Sequence, residues 1–110
     1  MQNSRLEKLL EFYGNNPKDS FVTYAIATEY VSAGNDAEAY KYYSFVRTHD
    51  PDYVATYYHL GKWYERNQMR DEALAAYQDG MVVAKKLKDN HSLSELQNAW
   101  NNLEMGLDDY

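Results

Sequence analysis

The sequence predicts an all-α fold of about six helices, built from antiparallel helix pairs with a capping helix at each end. Three observations carry this reading. The chain matches itself at a shift of thirty-four residues, apolar residues recur at helical spacing inside each repeat, and both flanks carry an amphipathic segment of their own.

The first segment opens with Ser4-x-x-Glu7, a pattern in which the two side chains reciprocally satisfy free N–H groups of a helix start. Leu6, Leu9, Leu10 and Tyr13 follow at i, i+3, i+4, i+7, so residues 4–13 are expected to form the N-terminal capping helix.

Two repeats come next. The shift pairs Pro17 with Pro51, Tyr24 with Tyr58, Tyr30 with Tyr64, Glu38 with Glu72, Ala39 with Ala73 and Tyr43 with Tyr77. Ile26 with Leu60 and Ala27 with Gly61 fall in the same frame. Residues 18–50 form repeat 1 and residues 52–88 repeat 2, each a helix A followed by a helix B. In repeat 2, Tyr57, Leu60, Gly61 and Tyr64 make the stripe of helix A, with a glycine where another helix can approach. After a break at Asn67-Gln68-Met69, helix B begins with Asp71 and Glu72, which suit the positive end of its dipole, and carries Ala73, Tyr77 and Met81 on one face. In repeat 1 the same plan uses Ile26, Ala27 and Tyr30, then Gly34 as a left-handed cap, then Asp36 opening a helix with Ala39, Tyr43 and Val46. Pro17 and Pro51 stand just ahead of the A helices, where a missing N–H costs nothing.

This pattern resembles the tetratricopeptide repeat, a thirty-four-residue unit patterned W-x2-L-G-x2-Y, A-x3-F and P. Repeat 2 matches it at Tyr57-x2-Leu60-Gly61-x2-Tyr64 and Ala73-x3-Tyr77, and repeat 1 at Ile26, Ala27, Tyr30, Ala39-x3-Tyr43 and Pro51, with Thr23 in place of the large ring. Two departures stand out. Lys85 replaces the closing proline, so the second helix B is expected to run on to about Lys88. Gly80 replaces a small apolar residue and weakens its helix by up to about 1 kcal/mol unless a neighbour needs the room. The resemblance covers residues 17–88 and implies a right-handed superhelix of antiparallel helix pairs.

A last stripe of Leu93, Leu96, Trp100, Leu103 and Leu107 predicts a C-terminal capping helix over 91–107. Ser94, Glu95, Asn98, Asn101 and Asn102 lie off that stripe, as the solvated end of a helical stack requires.

Composition narrows function by exclusion. With 110 residues, 45% apolar and 25% charged, the chain is one domain of ordinary soluble type. A net charge of −6 repels phosphate backbones and anionic lipid, and the Lys85-Lys86-Leu87-Lys88 run is too short to reverse this, so neither nucleic acid nor membrane is expected as a partner. The absence of cysteine removes disulfides, thiolate ligands and thiol nucleophiles. No signal-like apolar run opens the sequence, which makes cytoplasmic residence the default. His49, His59 and His91 show no metal-ligand spacing, and the paired acids Asp71/Glu72 and Asp108/Asp109 occupy a helix start and a chain end. No phosphate-binding glycine loop occurs, so no enzyme activity, metal or cofactor is expected.

The twelve tyrosines suggest interaction instead, since a tyrosine offers a rigid apolar ring with a polar tip. The family resemblance implies that the A helices line a concave groove for a peptide or a partner helix. Its residues would be Phe21, Tyr24, Thr28 and Val31 in repeat 1, and Ala55, Tyr58, Lys62 and Glu65 in repeat 2, with Lys62 available to an acidic group. Family members that hold the acidic tails of chaperones carry a lysine and asparagine clamp on successive A helices. Tyr24, Thr28, Tyr58 and Lys62 do not reproduce it, so a two-carboxylate clamp is not expected. The alternative is a structural role in which the chain self-associates as a homodimer.

Overall fold

The computed structural model describes residues 4–106 of the 110. They form α1 (Ser4–Asn15), α2 (Ser20–Ser32), α3 (Asp36–His49), α4 (Ala55–Arg66), α5 (Arg70–Leu87) and α6 (Asn90–Glu104). Among the described residues there is no strand. Leu107, Asp108 and Asp109 lie outside the described residues. The chain divides into two compact units, Met1–Tyr53 and Val54–Tyr110.

In the first unit, α1 packs on α2, and α2 packs on α3. The core joins Val22, Ala25, Ile26 and Ala27 of α2 to Ala39, Tyr43 and Val46 of α3. Removing a side chain such as Ile26 from water is worth about 1.5–3 kcal/mol, which is what holds the pair closed. The connection between them turns at Gly34, whose φ of +78° is open to a residue without a side chain. Asn35 then caps α3 by accepting from the Glu38 N–H at 3.2 Å.

Pro17 does not begin its helix. It occupies the second position of the turn Asn16-Pro17-Lys18-Asp19, closed by the Asp19 N–H donating to the Asn16 carbonyl at 3.1 Å. The reason is Asp19, whose carboxylate accepts from the Val22 N–H at 3.0 Å and so takes the capping position itself. Pro51 sits likewise in Asp50-Pro51-Asp52-Tyr53, where the Tyr53 N–H donates to the Asp50 carbonyl at 3.0 Å. Ser20 Oγ donates to Asp50 Oδ2 at 2.5 Å, tying the start of α2 to the end of α3.

In the second unit, α5 is packed on both sides, by α4 and by α6. Its buried residues are Ala73, Ala76, Tyr77, Gly80 and Ala84. Two glycines set how close these helices come. A Cβ on Gly61 would lie 2.2 Å from the Tyr77 ring. One on Gly80 would lie 2.6 Å from Tyr57 Cβ and 3.0 Å from a Leu96 methyl. The helix-weakening glycine therefore makes room for α4 and α6 together. α5 ends at Leu87, with Lys88 closing it in the left-handed region at φ 58°. Gln68, one period after Gly34, holds the same left-handed conformation at φ 57° despite its side chain. Asp89 caps α6 by accepting from the Ser92 N–H at 3.0 Å, and these two hydrogen bonds from Ser92, side chain and backbone, hold the Asp89 carboxyl below its ordinary pKa. From α6, Leu96 and Ala99 enter the core.

Candidate protein-binding faces of the A helices

The A helices α2 and α4 each carry four of the residues expected to meet a partner. On α2, Phe21 stands in solvent with 59% of its surface exposed. Tyr24, one turn along, is half-buried between two other rings: Tyr53 at 5.7 Å and Tyr43 at 6.3 Å between centroids. Thr28 shares a hydrogen bond of 3.1 Å with the hydroxyl of the buried Tyr43. Val31 is half-buried on the next turn. Burial, followed by the neighbouring Tyr24 hydroxyl, pushes the Tyr53 phenol above its ordinary range.

On α4, Ala55 and Tyr58 are half-buried. The Tyr58 ring lies 6.3 Å from that of Tyr77, and Lys62 Nζ sits 5.6 Å from its centroid. The same ammonium is 3.6 Å from Glu65 Oε2. Glu65 also accepts a short hydrogen bond from the hydroxyl of the fully buried Tyr77. Lys62, read from sequence as a receptor for an acidic group, thus has a carboxylate beside it on its own helix.

The two faces follow one scheme. In each, the buried tyrosine of helix B sends its hydroxyl outward to a polar side chain of helix A, as a buried phenol requires. Thr28 does this for Tyr43, and Glu65 for Tyr77. The residue that sequence reasoning missed is Tyr53, which follows the Pro51 turn and completes the aromatic patch around Tyr24. Its only signal in the sequence is a ring two residues after a proline.

Elsewhere, His59 is held below its ordinary pKa by burial, against the opposing pull of Glu95. His91 is exposed, 3.9 Å from Glu95. Among the described residues no cluster of histidine and carboxylate side chains could hold a metal ion, and no helix is long and apolar enough to cross a membrane.

No protein-family model matches the chain, and neither does any curated protein. Solved structures do. The crystal structure of a tetratricopeptide repeat domain protein from Salinibacter ruber shares 42% identity, covers 78% of this chain and 97% of its own, and has a TM-score of 0.75. The chain belongs to the tetratricopeptide repeat family. A solution structure of the Salinibacter ruber domain has the same identity, covers 80% of this chain and 89% of its own, and has a TM-score of 0.77. A Bordetella parapertussis protein at 21% identity shares the fold, with a TM-score of 0.81 over 96% of this chain and 91% of its own. The tetratricopeptide repeat fold of this chain suggests a protein-interaction module.

Proposed function

We propose that the tetratricopeptide repeats bind a peptide or helical segment of a protein partner through the A-helix faces, each unit presenting its own. The observation that carries this reading is Phe21. A phenylalanine 59% exposed, one helical turn from the Tyr24–Tyr53 pair, is an apolar anchor facing water.

The chemistry of the two faces supports a partner held by apolar and aromatic contact. Phe21, Tyr24, Thr28 and Val31 carry no charge, and on α4 the charges of Lys62 and Glu65 balance each other. A carboxylate approaching Lys62 would have to compete with Glu65. The role is that of a non-catalytic adaptor.

The test is binding to a displayed peptide library by wild type and by Phe21→Ala, Tyr24→Ala and Tyr58→Ala, each checked for fold by circular dichroism. Selected peptides should lose about tenfold or more in affinity on Phe21→Ala. Retention of wild-type affinity by all three folded variants would place the binding surface elsewhere.

A further inference from the structure

The period that aligns the two repeats also aligns α1 with their B helices. One period on, Arg5, Lys8, Leu9 and Phe12 correspond to Ala39, Tyr42, Tyr43 and Val46; two periods on, to Ala73, Ala76, Tyr77 and Gly80. At four of those positions a B helix meets its own A helix. Tyr43 meets Tyr24 and Thr28, and Tyr42 stacks on Tyr30 at 5.7 Å. Tyr77 packs over Gly61, and Gly80 admits Tyr57. By register, α1 is a B helix, and among the described residues no helix covers the side that would hold an A helix.

That side has the character of a seat. Arg5, Lys8, Leu9 and Phe12, with Ser4 and Val22 of α2, line a groove, and Phe12 is 50% exposed. No residue of α1 is buried, whereas at the matching positions α3 buries Ala39, Tyr43 and Val46, and α5 buries Ala73, Ala76, Tyr77 and Gly80. The lining holds two cations and no carboxylate; Glu7 and Glu11 of the same helix do not contribute to it. Arg5 is held at 2.7 Å by Glu29 of α2, and Lys8 has no ion pair among the described residues. With Arg5 balanced by Glu29, the groove is apolar with one cation at its rim, Lys8.

We infer that this side of α1 accepts an amphipathic helix of another protein, its apolar stripe on Leu9 and Phe12 and its carboxylates flanking that stripe. The register argues for a helix, because helices fill the same side of α3 and α5. The rim argues for acidic flanks. A second copy of this chain fits poorly. Two α1 faces brought together would oppose Lys8 and Arg5 to their own kind. The exposed residues of α6 are polar at His91, Ser94, Glu95, Gln97 and Asn98, and exposed Val82 and Leu87 on α5 lie among Lys85, Lys86 and Lys88. The surface is separate from the A-helix faces proposed above.

The probe is a labelled peptide of about sixteen residues, roughly four helical turns, with leucines at i, i+3, i+4, i+7 spacing and glutamates on both flanks. A twin carries lysines in place of the glutamates. Fluorescence anisotropy on the full chain should show saturable binding of the acidic peptide, about tenfold or more weaker with Phe12→Ala, with Lys8→Glu and for the lysine twin. Tyr24→Ala should leave it unchanged, which separates this seat from the other face. Phe12 and Lys8 are exposed, so their replacement leaves the core intact. Absence of saturable binding, equal binding of both peptides, or insensitivity to Phe12→Ala would overturn the inference. So would self-association, measured by light scattering, that disappears with Phe12→Ala, because a second copy would then occupy the seat.

Discussion

Replacing Gly61 by alanine adds one methyl group at the place where α4 and α5 come closest. The new Cβ would stand 2.2, 2.6 and 2.6 Å from three atoms of the Tyr77 ring. Carbon atoms rest about 3.5–4.0 Å apart, so the ring or a helix must move by more than 1 Å. The ring has no room to give: Tyr77 is fully buried and its hydroxyl is held by Glu65. Overpacking of this kind costs about 1–3 kcal/mol, and the depth of the overlap puts Gly61→Ala at the upper end. Alanine's better helix propensity returns about 1 kcal/mol. The net loss is about 2 kcal/mol, or on the order of 10 °C in Tm for a domain of this size. Urea and thermal unfolding measure it directly. Gly14→Ala is the internal control, since a Cβ there has nothing within 4 Å and the propensity gain should appear alone. A Gly61→Ala protein as stable as wild type would refute the close approach of α4 and α5.

Gln68→Gly should stabilise the chain by about 1 kcal/mol in urea unfolding, because a side chain at φ 57° pays for a conformation glycine adopts freely. Tyr77→Phe should cost about 1.5–3 kcal/mol and Tyr43→Phe about 0.5–1.5, since the first hydroxyl donates to a carboxylate and the second meets a neutral threonine. Equal losses in chemical denaturation would contradict that difference. His59 is held below its ordinary pKa by burial, so the unfolded chain binds its proton more readily than the folded one. Its contribution is therefore constant above the unfolded value near 6.5 and declines as pH falls below it through the lowered folded value. Unfolding measured from pH 7.5 to 5.5 should show a shallower decline for His59→Gln than for wild type, and identical slopes would exclude His59 as the cause.

The fold was legible because its signals are local. The A-helix stripe from Tyr57 to Tyr64 and the turn at Gly34 each occupy a few neighbouring residues, the thirty-four-residue period repeats such short signals along the chain, and the structure has helices and a left-handed turn there. What escaped the sequence depends on pairs of residues far apart in the chain. Gly80 read as a weakness, and its cause is the Tyr57 backbone-side carbon and the Leu96 methyl against it. Thr28 and Glu65 read as groove residues, yet each has a hydroxyl of the opposite helix to satisfy, and a helical wheel does not reveal such a demand. Pro17 stands just ahead of α2, as its place in the repeat implies, but the turn it occupies and the capping carboxylate of Asp19 between it and the helix were not legible. Lys62 kept its place on the face while Glu65, three residues away, changed its electrostatic meaning.

Thr23 and Tyr57 are one period apart, and so are Val46 and Gly80. All four are buried, a small residue on helix A accompanying the larger one on helix B in the first unit, and the reverse holding in the second. The two hairpins are therefore not interchangeable building blocks. A chimera joining α2 to α5 would set threonine opposite glycine and leave a void, while one joining α4 to α3 would drive tyrosine into valine. Gene fusion or repeat duplication within this chain can preserve stability only by copying a hairpin whole.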